Sequence, residues 1–353
     1  MRDLKNKLTD GKNTSNIDSR RYKSFGYQVL GFGAGGAGNP FIEATGGTIL
    51  TDGNFKTHVF TGPGTFEVVN EGKAAGSTLL DYLVVAGGGG SGGTGPDAAG
   101  AGAGGFRASN SYSLPSPETS PVVAPAGLTA AVGSFPITVG AGGARSSPSG
   151  TGCNGANSIF STITSAGGGG GGSYSGDLGA TGGSGGGSST NNGVGAAGNT
   201  PPVSPAQGFG GGNATGAIGP GSGPLHRASG GGGGAGAAGQ NASPSKGGDG
   251  GVGAYVSNTF FGPTAPSYGE TGPVTPTRYF AGGGGGSAVG SARPIAGAGG
   301  AGGGGIGSQT PPGPQINGTS GTINTGGGSG GIPNVPSIGV GGSGIVVIRY
   351  QFQ

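Results

Sequence analysis

The chain is poor in charge, cysteine and long apolar runs. Charged residues make up 8% of its 353 residues, and 16 basic against 13 acidic side chains leave a net charge of +3. This is too little charge for the self-repulsion that keeps many disordered chains open. The single cysteine, Cys153, excludes an intrachain disulfide. The longest apolar stretches, residues 82–86 and 345–348, are far shorter than the roughly 18 residues of a membrane span, so we expect no membrane insertion.

Glycine is the residue that the chain has in excess. Its 98 glycines and 25 prolines are typical of low-complexity chains or of collagen. Collagen is excluded because the run at residues 167–172 breaks the G-X-Y phase. An ordinary α/β enzyme is not expected either, since each interior glycine costs a helix about 1 kcal/mol.

Seven segments between the glycines are rich in β-branched and aromatic residues, which predicts strands. They are residues 55–60, 65–69, 81–86, 136–140, 157–165, 278–281 and 344–352. The first two predict a β-hairpin, because Gly62, Pro63 and Gly64 can form the turn between them. Several segments are apolar on both faces, which predicts burial between layers. Arg349 in the last segment is interpreted as a charged cap on an edge or end rather than a ligand site.

Glycine runs follow directly on three of these strands, and two further runs lie between strands. The five runs are residues 87–90, 167–172, 230–234, 282–286 and 302–305. Ordered glycine has no side chain to bury, so backbone hydrogen bonds must compensate its lost entropy. The polyproline II geometry, a left-handed helix with three residues per turn, points its N–H and C=O groups outward, where neighbouring helices can bond to them.

We therefore predict an all-β fold in which β-sandwich-like strands are combined with a bundle of polyglycine II helices. The alternative is that the glycine runs are flexible linkers. The last strand weighs against linkers, because it follows every glycine run and needs strand partners that precede them. The runs would then be enclosed within one fold.

The N-terminus carries the basic excess. Residues 1–25 hold seven basic and three acidic side chains, or +4, which leaves 9 − 10 = −1 for the rest of the chain. They contain no apolar h-region, so we expect no secretory signal. We interpret residues 1–45 as an extended arm that attaches the protein to a partner, and residues 46–353 as one glycine-rich domain. The predicted attachment residues are Arg20, Arg21, Tyr22, Phe25, Tyr27 and Leu30. Nucleic-acid binding is the weaker alternative, because no aromatic residues are interleaved with the basic ones.

Side chains with catalytic or metal-binding chemistry are few. Two histidines, one cysteine and thirteen scattered carboxylates form no cluster at metal-ligand spacing. They form no nucleophile and base arrangement either. His58 lies within a predicted strand, where a structural role is the ordinary one. We expect no enzymatic activity, no cofactor and no metal.

Binding is expected in the loops that are not glycine-rich, at residues 106–125, 199–227 and 254–278. Aromatic rings on loops can stack on sugars or anchor protein partners. The predicted contact residues are Arg107, Tyr112, Phe209, His226, Arg227, Tyr255, Phe260, Phe261 and Tyr268. The alternative is that these rings plug the ends of the glycine bundle.

Eight segments, in order along residues 48–353, resemble the glycine-rich domain of bacteriophage virion appendages. They are DYLVVAGGGGSGG, AGAGGFR, FPITVGAGGA, SIFSTITSAGGGGGG, NTPPVSPAQG, RYFAGGGGG, NTGGGSGG and GGSGIVVIRY. The resemblance implies a structural protein on the surface of the phage particle, usually a tail fibre. The architecture is also similar in style to the tip adhesins of T-even-like phages, which stack polyglycine II helices and present receptor-binding loops.

The resemblance implies other virion proteins of the tail, neck or capsid as partners, and a host cell-surface glycan or protein as the ligand. Homotrimerisation, common among fibres, stays open. One alternative function is a capsid or neck decoration protein (head fibre) with the same domain. Another is a secreted glycine-rich matrix or ice-binding protein, which would need a flat, repeating Thr or Ala face.

Overall fold

The computed structural model describes residues 39–93, 97–114, 119–146, 150–173, 178–189, 193–215, 227–290, 295–310, 314–332 and 339–353. Over these residues the protein is all-β, as predicted, with two short 3-10 helices, η1 (Asn258–Phe260) and η2 (Gly262–Ser267). The strands are β1 (Ile42–Thr45), β2 (Thr48–Asp52), β3 (Phe55–Phe60), β4 (Gly64–Glu71), β5 (Leu79–Val85), β6 (Phe106–Ala108), β7 (Leu128–Thr129), β8 (Gly133–Thr138), β9 (Ser158–Phe160), β10 (Ile163–Ser165), β11 (Arg227–Ala228), β12 (Ala254–Ser257), β13 (Thr277–Phe280), β14 (Ala288–Val289) and β15 (Ile345–Gln351).

Two antiparallel sheets form the sandwich. One has the strand order β1-β4-β8-β9-β10, and the other has the order β2-β3-β15-β5-β6 with β7 paired to β5. The predicted hairpin of residues 55–60 and 65–69 is wrong, although both segments are strands. β3 pairs with β2 and β15, while β4 pairs with β1 and β8. The glycine and proline residues after β3 therefore carry the chain from one sheet to the other.

The segment at residues 157–165 is also different from its prediction as one strand. It forms the antiparallel pair β9 and β10, with Phe160 opposite Ile163. Ser161 between them has a φ of 51°, in the left-handed region, which turns the chain back on itself.

The sheet that contains β5 and β15 is covered on both faces. Tyr82 and Val84 of β5 pack with Phe66 and Phe160 of the other sheet. Leu83 and Val85 belong to a second core, which includes residues of η1, η2, β12 and β13. Successive side chains of a strand point to opposite faces. β5 and β15 lie between two layers, as predicted, and both faces of these strands therefore carry apolar residues.

Both ends of the described chain lie at one end of the sandwich, which we call the base. The Pro40 carbonyl accepts a hydrogen bond from the N–H of Lys73 at 2.8 Å, and the Ser77 hydroxyl donates to the Gln351 carbonyl at 2.6 Å. β1 lies within the predicted arm but pairs with β4, so the folded part begins before residue 46.

The glycine-rich part extends from the opposite end of the sandwich. β5, β10 and β13 end there and continue directly as glycine tracts, and the tract at residues 339–344 leads back into β15. The end of these tracts that is remote from the sandwich is called the distal end. The order along the molecule is therefore base, sandwich, glycine tracts and distal end.

Candidate binding surface

Seven central tracts form the interior of the glycine-rich part, and every residue in them is buried. They are residues 86–93, 98–105, 166–173, 182–189, 229–235, 281–288 and 326–332. Their backbone groups bond to the backbones of neighbouring tracts at 2.7–3.2 Å. These residues are thus part of the folded interior, and the linker alternative is wrong for them.

The hydrogen bonds of a tract repeat every third residue. In residues 86–93, the N–H groups of Gly87, Gly90 and Gly93 donate to the carbonyls of Ala156, Cys153 and Gly150, at 3.1, 3.0 and 2.8 Å. The N–H groups one residue further on, at Gly88 and Ser91, donate to a different tract at residues 339–342. A period of three means that each tract presents three sides to its neighbours.

The tract at residues 98–105 is surrounded by the other six central tracts. Its N–H groups donate to residues 166–172, 230–233 and 326–329. Its carbonyls accept from residues 86–89, 184–187 and 284–287. Every N–H group from residue 99 to residue 105 is therefore paired with a neighbouring tract, as burial of the backbone requires.

Glycine is required in the central tracts because the neighbouring backbones lie too close for a side chain. A Cβ placed on Gly169 would lie 1.9 Å from the Ala180 carbonyl oxygen, and one on Gly232 would lie 1.9 Å from the Ala101 carbonyl oxygen. Either contact is far inside van der Waals distance. Only backbones without Cβ atoms can approach in this way.

Non-glycine residues lie on the outer face of the peripheral tracts, in exposed pairs three residues apart. These pairs are Ala141 and Ala144, Cys153 and Ala156, Leu178 and Thr181, Val194 and Ala197, and Ile295 and Ala298. The spacing is the same period of three that the hydrogen bonds show. The non-glycine residues at this spacing therefore indicate which side of each peripheral tract faces solvent.

Asparagine side chains bond to one central tract where a backbone neighbour is missing. The Gly167 N–H donates to Oδ1 of Asn157 at 2.9 Å, and the Gly170 N–H donates to Oδ1 of Asn154 at 3.0 Å. The two asparagines are three residues apart, as are the two glycines. Their side-chain amides take the place of carbonyls from another tract.

The structure does not bring the predicted contact residues together. Tyr112 lies near the base, where its hydroxyl donates to the Leu79 carbonyl at 2.7 Å. Tyr255 packs against Tyr279 with ring centroids 4.9 Å apart. Arg107 is half-buried on β6, whereas Phe209, on a tract of the glycine-rich part, is 38% exposed. His226 and the six predicted attachment residues lie outside the described residues.

Phe260 and Phe261 are corrections to the predicted contact set. Both are buried in the core between the β5–β15 sheet and the 3-10 helices, so neither ring can contact a ligand at the surface. Tyr268 is half-buried and stacks on Phe261 with centroids 5.0 Å apart. These rings belong to the second core, on the face of the β5–β15 sheet that is turned away from the other sheet, and the Thr57 hydroxyl of β3 donates to the Phe260 carbonyl at 3.0 Å.

Two ionisable residues of the sandwich, Arg349 and His58, are buried among other side chains. Arg349 lies on a central strand and is 4% exposed, so its interpretation as a charged edge or end cap is wrong. Its guanidinium lies 3.7 Å from the ring centroid of Phe55. His58 is buried between the Gly46 carbonyl, 2.7 Å from Nδ1, and the Tyr350 hydroxyl, 3.1 Å from Nε2. Burial lowers the pKa of His58.

Among its described residues, the distal end holds an ion pair of which the sequence predicted only one member. Arg227, a predicted contact residue, begins β11, and its Nη1 donates to Oδ2 of Asp97 at 3.4 Å. Asp97 was not among the predicted residues. A signal for it exists, because Asp97 is the one charged residue between residues 82 and 106.

The described part of the chain shows neither a metal-binding cluster nor a membrane-spanning helix. No three His, Cys, Asp or Glu residues of that part lie close enough together to hold a metal ion. No helix in it has the length and apolar character to cross a bilayer.

The fold and its tracts define a glycine-rich, all-β protein. A family model described as a glycine-rich domain matches residues 61–351, which is most of the chain. The chain belongs to this glycine-rich domain family. The comparison with curated proteins gives no match.

Proposed function

We propose that the protein is a non-enzymatic structural protein of a bacteriophage particle, a tail fibre or similar surface appendage. It attaches by its N-terminal arm to other virion proteins and presents its distal end to a glycan or protein on the host surface. The observation that carries this proposal is the polarity of the fold. The described chain begins and ends at the base, and the glycine tracts extend from the opposite end of the sandwich.

The glycine tracts supply the stiffness that an adhesive appendage needs. We infer that they are polyglycine II helices, for two reasons. Their hydrogen bonds repeat every three residues. Among the glycines of the central tracts, Gly326 alone has a positive φ, as suits a left-handed helix with φ near −75°. When recognition groups are held by a rigid scaffold, less entropy is lost on binding.

The distal end is the proposed contact surface, in place of the loops at residues 106–125 and 254–278. Those two loops pack back along the sandwich, as the bonds of Tyr112 and Phe260 indicate. An appendage that attaches at its base would turn them toward the particle. The third predicted loop, residues 199–227, includes Arg227 at the distal end and remains a candidate.

Immunogold electron microscopy of intact phage particles tests the proposal. Label on the tail or on another projecting appendage is the expected result. Label on the capsid or the neck would favour the head-fibre alternative. Particles that carry no label, with the protein found only in the infected cell or the medium, would overturn a virion role.

A further inference from the structure

The glycine tracts are arranged as a hexagonal array. Around the tract at residues 98–105, each of the other six central tracts bonds to the next, so the six form a closed ring. In any hexagonal array, a second ring of twelve positions surrounds such a ring of six. Among the described residues, peripheral tracts hold eleven of these outer positions, at residues 140–146, 151–157, 178–181, 193–199, 207–214, 237–242, 246–253, 295–301, 303–308, 316–322 and 339–344.

The twelfth outer position, beside the central tract at residues 166–173, is taken by side chains of a neighbouring tract. Thr151, Asn154 and Asn157 lie three residues apart along that neighbour, and we call them the polar row. The side-chain oxygens of Asn154 and Asn157 accept hydrogen bonds from two N–H groups of the central tract. Both asparagines are exposed, so this position opens to solvent.

The polar row also bonds to the tract on its other side. The Thr151 hydroxyl donates to the Leu178 carbonyl at 2.8 Å, and Nδ2 of Asn154 donates to the Thr181 carbonyl at 3.1 Å. The two carbonyls are again three residues apart. The row therefore bonds to the tracts on both sides with the period that the backbone of a tract has.

An equivalent outer position shows what the asparagine oxygens replace. Beside the central tract at residues 229–235, the N–H groups of Gly231 and Gly234 donate to the carbonyls of Gln240 and Ala237, at 3.1 and 2.9 Å. Those carbonyls belong to a peripheral tract and are three residues apart. A strand of this chain thus has the period and the small residues that such a position requires.

The other outer tracts are protected from further backbones by their own side chains. Exposed pairs such as Val194 and Ala197, or Ile295 and Ala298, stand between the bundle and solvent. Tracts pack closely only where no Cβ intervenes. Without the polar row, the twelfth position would instead offer unpaired N–H groups on a glycine tract, and such an edge is a template for another chain, as at the edge of a β-sheet.

We propose that the polar row closes the twelfth position against a glycine-rich strand of a second copy of this chain. Thr151, Asn154 and Asn157 then determine that the bundle does not grow through this edge. A second copy is the occupant because its tracts carry the matching period and composition. The closure is independent of the proposed function, since it concerns only how the bundle is limited.

The double variant Asn154→Gly/Asn157→Gly of the full-length protein tests the closure by sedimentation. We expect its self-association to be at least about 10-fold tighter than that of the wild type. The Gly167 and Gly170 N–H groups would each regain one hydrogen bond, and two bonds of ordinary net strength amount to about this factor. Self-association equal to that of the wild type would overturn the closure.

Cys153 reports whether copies meet at this edge, because it is exposed and directly precedes Asn154. A short thiol-to-thiol cross-linker should join two copies of the double variant and leave the wild type unjoined. Efficient cross-linking of the wild type would overturn the closure, whether or not the variant folds. If the double variant fails to fold, Asn157→Gly alone, which frees only the Gly167 N–H, provides the same comparison.

Asn241→Gly is the matched control. Oδ1 of Asn241 also accepts from a backbone N–H, that of Asn213 at 2.8 Å, but Asn241 lies on a tract that holds its own outer position. This variant should associate no more than the wild type. Equal association of the control and the double variant would show that loss of any such asparagine suffices, and would overturn the closure. These results do not depend on particle labelling, so the virion role and the closure can fail separately.

Discussion

At the residue scale, glycine is selected in the central tracts by contact rather than by conformational freedom. With one exception their glycines have no positive φ, so most L-residues could adopt the backbone angles. What excludes other residues is the neighbouring carbonyl oxygen, about 2 Å from the place of a Cβ at Gly89, Gly169 or Gly284. Substitutions in the tracts should therefore act through packing.

Gly169→Ala should lower the free energy of unfolding by about 1–3 kcal/mol or more, since the added methyl forces neighbouring backbones apart. Gly62→Ala is the matched control, because nothing lies within 4 Å of a Cβ there and φ is not positive. It should leave stability unchanged within about 1 kcal/mol. Urea unfolding of the two variants measures the difference. Equal midpoints would contradict the close packing of the tract.

Asp97 gives stability a pH dependence with a defined sign. Burial raises its pKa in the folded state, so the folded protein binds a proton more readily than the unfolded chain between pH 3.8 and about 6. The contribution of Asp97 to stability is complete below pH 3.8 and is lost as the pH rises through about 6. The loss amounts to at most about 3 kcal/mol, at 1.36 kcal/mol for each pKa unit.

The difference in unfolding free energy between wild type and Asp97→Asn, measured in urea from pH 3.5 to pH 7.5, should follow this curve. The variant should lack the decline that the wild type shows across this window. A difference that does not change with pH would show that Asp97 titrates at its ordinary value. Asp249→Asn provides the control, with a carboxyl that is far more exposed.

At the element scale, strand and glycine tract are two parts of one continuous segment. β5 pairs laterally with β15 and β6, and the tract that follows it bonds to neighbours on several sides. The strand is stabilised by packing of its side chains, whereas the tract is stabilised by contacts between backbones. The alanines at positions 86, 166 and 281 lie at the junctions and are buried.

Amide hydrogen exchange should be slow across the tracts at residues 87–90, 167–172 and 282–286. Their N–H groups are buried and bonded to other tracts or to asparagine side chains, so they exchange only when the bundle opens. Asn241 and Ser245, two exposed residues at a turn, provide the comparison within the same sample. Exchange in the tracts as fast as in that turn would contradict the bundle.

At the scale of the whole molecule, the fold has two ends of different structure. The described chain begins and ends at the base, and the distal end carries the Asp97–Arg227 pair. The sandwich between them closes the fold, since β15 pairs with strands that precede every tract. The proposed function requires two separate ends of this kind, one for attachment and one for contact.

Deletion of residues 1–25 should abolish incorporation into phage particles while the domain stays folded. The deleted residues precede β1, which begins at Ile42, so no described strand is lost. Circular dichroism and the unfolding midpoint of the purified protein provide the folding control. Normal incorporation of the deleted protein would contradict the attachment role of the arm.

Much of the local structure could be predicted from the sequence, but which strands pair and which rings are buried could not. Residues 55–60 and 65–69 are strands because β-branched and aromatic residues favour extended backbone. Their pairing depends on distant segments, so a local turn signal gave the wrong hairpin. Phe260 and Phe261 could not be separated from surface aromatics for the same reason, because burial depends on which layer covers them.

The sequence by itself determined that the protein is all-β, that glycine tracts follow the strands, and where side chains interrupt the tracts. Those features depend on local steric preference and on the size of each residue. Only the tertiary structure decided which tracts are neighbours, that the described chain begins and ends at the base, and that Asp97 meets Arg227 130 residues away. Backbone hydrogen bonds between tracts are almost independent of side-chain identity, so composition can predict that they form but not which partners they join.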